Sequence, residues 1–111
     1  MKIDLAPNEK LLREGAANLQ RGLETVGGRL VLTDSRLVFS SHAFNVRTGT
    51  TDIPLSAVQS VRPCWTRFLG LFPLMPNSLA VATESGDHRF VLSGRSAWAD
   101  AIGSAVSRLR A

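Results

Sequence analysis

Cysteine is nearly absent: Cys64 is the single thiol in 111 residues. One thiol cannot close an intramolecular disulfide or build a cysteine-based zinc site. Tyrosine is missing altogether, and the aromatics are five Phe and two Trp. No long hydrophobic run occurs. The longest apolar-biased stretch, 68–75, has eight residues and carries Pro73. A helix that crosses a bilayer needs about 20. Nor is there a large excess of one charge. Thirteen Lys and Arg against nine Asp and Glu leave +4, which permits an acidic partner without requiring one. Met1 to Glu9 hold no apolar signal core, Lys2 excludes N-myristoylation, and the last residues carry no prenylation box. The expected compartment is the cytoplasm, with peripheral attachment to the cytoplasmic face of a membrane left open.

What the chain does hold is ordinary globular material, 44% apolar and 20% charged, which argues against disorder and low complexity. Its length fits one domain over 1–111. We read an N-terminal extension or first turn over 1–14, a β core over 15–92 and a helix over 94–110. Asn8 could cap a helical turn through Glu9–Glu14, or that segment could be extended. Residues 28–33 alternate, with Leu30 and Leu32 on one face. Asp34-Ser35 is a tight polar turn, and 36–41 alternate again with Leu37 and Phe39. Two alternating runs around a polar turn predict a β-hairpin.

Residues 42–50 read as a longer loop, 51–55 as a short strand held to an edge by Pro54, and 57–62 as another strand. The stretch 63–77 gathers three of the five prolines and three of the seven aromatics, so it stands apart from the strand pattern. Residues 79–83 and 88–92 pair across a turn at 84–87, with Gly86 where a positive φ is needed. Beyond them Trp98, Ala101, Ile102, Ala105, Val106 and Leu109 recur at helical spacing and predict one amphipathic helix. Ser96 is its candidate N-cap, with Asp100 in or near the first turn, and Arg108 and Arg110 suit the dipole at its C-terminus. Gly103 inside it costs about 1 kcal/mol against Ala, unless it lets the helix approach a sheet. The fold class is therefore mainly β: about seven short antiparallel strands in a barrel or sandwich, capped by one C-terminal helix.

The run Leu23 to Phe39 resembles the core of a GRAM domain, through Gly28, Leu30, Leu32, Thr33, Arg36, Leu37 and Phe39. Asp52-Ile-Pro-Leu-Ser-Ala-Val58 is similar to that family's Ile-Pro-Leu strand and following turn. Residues 78–92 resemble its final hairpin, and Trp98 its helix tryptophan. The resemblance covers about residues 10–107. It implies a pleckstrin-homology-like barrel or sandwich, in the compact form where the domain stands alone. It also implies a non-catalytic binding module without a cofactor, whose partner is an anionic lipid headgroup or a protein.

In pleckstrin-homology-like folds the headgroup site lies among three loops, which here fall at about 22–29, 42–50 and 84–89. They supply Arg29, His42, Arg47 and Arg89, with His88 beside them. An arginine fork suits phosphate because it donates two parallel hydrogen bonds. The first of these loops departs from the family, since 22–28 holds Glu24 and no base. The competing reading is that these arginines are solvated strand faces.

A second candidate is apolar. Trp65, Phe68, Leu69, Leu71 and Phe72, with Arg67 among them, could form an exposed loop that enters a bilayer, grips a protein or joins copies into a homo-oligomer. The same loop could instead fold back over the barrel. Other features carry little. Cys64 has no identifiable base and reads as an inert buried thiol. His42 and His88 lack metal-ligand spacing. Gly27-Gly28 fits no nucleotide-binding pattern and reads as turn chemistry. Trp98 reads as core. No basic face is interleaved with aromatic platforms, so nucleic acid is not expected.

Overall fold

The computed structural model of the chain describes residues 5–21, 24–41, 50–68 and 72–110, and at 21, 24, 63–68 and 72–77 the description is of the backbone alone. The strands are β1 (Leu11–Arg21), β2 (Glu24–Thr33), β3 (Arg36–Ser41), β4 (Thr50–Pro54), β5 (Ser60–Phe68), β6 (Phe72–Thr83) and β7 (Gly86–Leu92). A single helix, α1 (Arg95–Arg110), follows. All pairings are antiparallel, and the strands form one sheet in the order β4-β3-β2-β1-β7-β6-β5.

That sheet is curled on itself. In a flat sheet β3 and β7 would lie three strand spacings apart, about 14 Å. Yet the rings of Phe39 and Phe90 have centroids 6.0 Å apart, tilted by 40°. The inward positions alternate as the sequence predicts. Leu30, Leu32, Leu37, Leu79, Val81 and Phe90 are fully buried, and each such side chain contributes about 1.5–3 kcal/mol relative to exposure. Trp98, Ile102, Ala105 and Val106 of α1 join the same core.

Several local expectations need correction. Of the two alternatives for Glu9–Glu14, the structure takes the extended one over the helical turn. Asn8 sits at φ 69° in a turn, a conformation asparagine tolerates, and β1 then begins at Leu11, ahead of the expected β core. The loop expected at 22–29 is far shorter, because β2 already starts at Glu24. Gly27-Gly28 is therefore strand, not turn. The absence of a side chain at Gly28 has a packing reason: a Cβ there would collide with the Ser40 carbonyl and lie 2.7 Å from Phe39 Cζ. The strand expected at 57–62 starts at Ser60, after a short 3-10 turn, Leu55–Ala57.

The proline-rich stretch is a hairpin, not a loop. Trp65 and Phe68 lie in β5 and Phe72 in β6. β5 is an edge strand, where Pro63 is tolerated. β7 pairs with β6 only from Ser78 onward. Among the described residues, the part of β6 before Ser78 pairs with β5 alone.

The helix also starts differently. The Gly94 carbonyl accepts the first helical bond, from Trp98 N–H at 3.0 Å, so Gly94, at φ 70°, takes the cap position rather than Ser96. No acidic residue lies in the first turn, which places Asp100 beyond it. Leu109 is 47% exposed and leaves the apolar stripe. A Cβ at Gly103 would meet nothing within 4 Å, so close packing against the sheet does not explain that glycine.

Candidate headgroup site

The densest polar cluster among the described residues surrounds Glu9, whose side chain is only 3% exposed. Its Oε2 accepts Thr33 Oγ1 at 2.6 Å, Ser35 Oγ at 3.0 Å and Arg36 Nε at 2.8 Å. Its Oε1 accepts Ala6 N–H at 2.8 Å and Arg36 Nη2 at 3.1 Å. Arg36 Nη1 also donates to Asp52 Oδ2 at 2.8 Å. Thr33 Oγ1 in turn accepts the N–H groups of Ser35 and Arg36. The Arg36 guanidinium holds the Glu9 carboxyl far below the usual carboxylate range, against the opposing effect of burial, with Thr33, Ala6 and Ser35 adding to it. Arg36 is raised further above its already high value by Glu9 and Asp52. This arrangement ties the segment before β1 to the β2–β3 turn and to β4. The Thr33-to-Arg36 turn is thus a structural clamp, with its guanidinium committed to two carboxylates.

The residues expected to hold a headgroup are scattered. Arg29 lies in the middle of β2, in register with Ala16 and Ser40. Its Nε is 3.5 Å from Glu14 Oε2, and both side chains are well exposed, at 40% and 46%. Such a pair is worth about 0.2–1 kcal/mol. His42 and Arg47 lie outside the described residues. Arg89 lies on β7 opposite Gln20, one residue from the end of β1. The pairing brings the start of β7 beside the end of β1. His88 faces the opposite way, toward a surface groove of about 540 Å³ that also includes Asp52, Ser56, Thr83, Glu84 and Arg110. Acids and bases share that groove, so it presents no single sign of charge. Arg110 is engaged there, donating from Nη2 to the Val58 carbonyl at 2.6 Å.

Nothing local in the sequence singles out Arg62. Register places it opposite Ala80, which is opposite Arg89, which is opposite Gln20. Residues paired across antiparallel strands share a face. Arg62 and Arg89 therefore stand on one face of the sheet, away from Leu79 and Phe90, on either side of the fully buried Ala80. Two strand spacings separate their backbones by about 9.5 Å. Arg62 Nη2 meets Asp87 Oδ2 at 2.7 Å, with the two side chains 51% and 39% exposed. No ion pair forms at Arg89 among the described residues. The signal for Arg62 in the sequence was its outward phase in a strand, but that phase does not reveal which residue stands two strands away.

For the apolar set, Leu69 and Leu71 lie outside the described residues, as do the side chains of Trp65, Phe68 and Phe72. No described helix is long and apolar enough to cross a membrane.

The curled seven-stranded sheet with one C-terminal helix is a pleckstrin-homology-like fold. It is similar to the N-terminal PH domain of Vps36, with a TM-score of 0.72 and 16% identity over 95% of this chain and 84% of that one. It is similar also to the N-terminal PH domain of human ARAP2, with 0.67 and 16% over 87% and 80%. The hSac2 domain of the human phosphoinositide phosphatase Sac2 gives 0.65 and 14% over 95% and 74%. At these identities the likeness is one of fold. Within that class the chain belongs to the GRAM domain family, whose model matches residues 1–97. No curated protein matches it in sequence. GRAM and pleckstrin-homology-like domains are in general lipid- or protein-binding modules, typically non-catalytic.

Proposed function

We propose that this chain is a non-catalytic module that attaches peripherally to membranes by binding an anionic lipid headgroup. The observation that supports it is Arg89, a guanidinium on the outward face of β7 beside the end of β1, with no ion pair among the described residues. Other arginines have acidic neighbours, Arg62 among them with Asp87. Arg36 serves Glu9 and Asp52, and Arg29 serves Glu14. The net charge of +4 has the right sign for an anionic surface.

The test is co-sedimentation with vesicles of phosphatidylcholine alone or with an anionic lipid, at low and high salt. Binding to the anionic vesicles alone is the expected result. It should weaken as salt rises, because exposed charges are screened beyond about 8–10 Å at physiological ionic strength. Absence of binding to every anionic vesicle at low salt rejects the membrane reading and turns attention to a protein partner.

A further inference from the structure

We infer that the open edge of β4 is a docking site for an extended peptide that carries a basic residue. This site does not include Arg89 and does not rest on the membrane reading. The phase of the β3–β4 ladder carries the argument. Leu55 N–H donates to the Ser35 carbonyl at 3.0 Å, and Arg36 pairs with Pro54 next along. Bonded pairs recur at every second position of an antiparallel ladder. Leu37 therefore bonds Ile53 and Phe39 bonds Thr51, while Asp52 turns its N–H and C=O away from β3. Pro54 shares that outward phase, where its missing N–H costs no ladder bond. Among the described residues, no strand pairs with β4 on that side.

The groove of about 540 Å³ runs along this edge, since its walls include Asp52, Ile53 and Pro54 in succession. Side chains alternate between the two faces of a strand, so a groove that meets three in a row reaches the backbone itself. The facing wall holds Glu84 and Ser85 of the β6–β7 turn. Charge selects the occupant. The carboxylates of Asp52 and Glu84 line the groove with His88 and one guanidinium, Arg110, which already donates to the Val58 carbonyl. Asp52 is 45% exposed and shares Arg36 with Glu9, so two acids there meet one base. Glu84 is exposed and makes no ion pair among the described residues. A strand added along β4 closes two hydrogen bonds with Asp52. The residue that makes them sets its side chain beside the Asp52 carboxylate, where an opposite charge is favoured. A second copy of β4 does not supply that charge, because Thr50–Pro54 holds no Lys or Arg.

The test titrates the full chain, isotope-labelled for amide NMR, with a blocked heptapeptide of alternating threonine and valine that carries lysine at its centre. A second peptide has glutamate in place of the lysine. A third keeps the lysine but is N-methylated at that residue's backbone nitrogen. The lysine peptide should shift the Asp52 and Glu84 amide signals and bind about tenfold more tightly than the glutamate peptide. The N-methylated peptide should not bind, because it cannot donate to the Asp52 carbonyl. Glu84→Lys, at an exposed turn, should weaken the lysine peptide several-fold and strengthen the glutamate peptide. Equal affinity for the lysine and glutamate peptides overturns the choice of occupant. Undiminished binding by the N-methylated peptide overturns strand addition. No shift with any peptide at millimolar concentration overturns the site. A chain that sediments as a dimer, and frees its Asp52 amide only on dilution, also overturns it, since a second copy then holds the edge.

Discussion

Glu9→Gln is the most informative single substitution for the fold. The Glu9 side chain is 3% exposed, and three donors converge on its Oε2 within 3.0 Å, with two more at Oε1. A glutamine has one oxygen and one NH2 group. If its oxygen replaces Oε2, the NH2 faces Ala6 N–H and Arg36 Nη2. If it replaces Oε1, the NH2 faces Thr33, Ser35 and Arg36 Nε. Either orientation sets donor against donor and leaves Arg36 without half of its counter-charge. Breaking a buried pair costs about 3–5 kcal/mol. Arg36 is 26% exposed and keeps Asp52, so we expect about 2–3 kcal/mol, at or just below the lower bound of that scale. For a chain of this length that lowers Tm by roughly 10 °C.

The assay is urea unfolding of the natural chain and the variant, followed by circular dichroism, from pH 7 down to pH 3. The pH dependence has a definite sign. Folding lowers the Glu9 pKa from an ordinary value of 4.5. The ionised carboxylate therefore gives its full stabilisation above about pH 4.5 and loses it progressively as pH falls below that value. The stability gap between the two proteins should be widest near neutrality and shrink in acid. Comparing the two removes the contribution of the other carboxylates. A gap below about 0.5 kcal/mol at pH 7, the scale of an ordinary surface change, would refute the clamp. So would a gap that stays constant down to pH 3.

Two glycines give opposite predictions in the same assay. Gly28→Ala forces a Cβ against the Ser40 carbonyl and Phe39 and should destabilise by about 3 kcal/mol, whereas Gly103→Ala enters open space within a helix and should stabilise by about 1 kcal/mol. Arg29→Gln removes only an exposed pair, and urea unfolding should register less than about 1 kcal/mol.

Alternation within short segments made the 28–33 and 36–41 hairpin legible, and helical spacing did the same for α1. The Thr33-to-Arg36 turn made the family legible, although its role as the receiver of Glu9 was not visible. Glu9 and Arg36 are 27 residues apart, and nothing local in either segment announces the other. Proline reads locally as a strand breaker, which sets the 63–77 stretch apart from the strand pattern. Its tolerance depends on where the sheet ends, and strand order decides that. Serine is a common cap and local pattern favours Ser96, whereas the chain uses the left-handed freedom of Gly94, two residues earlier.

The sequence by itself determined the apolar faces of β2, β3 and α1, the turns of the β2–β3 and β6–β7 hairpins, and that one amphipathic helix follows the strands. These follow from periods of 2 and 3.6 residues, which are properties of a segment alone. Only the tertiary structure decided which segments became neighbours. It set Arg62 and Arg89 in one row across Ala80, placed Arg29 apart with Glu14, and delivered Glu9 to the β2–β3 turn. The physical reason is that register between distant strands comes from burying all the apolar faces at once in a curled sheet, a condition that no single segment carries.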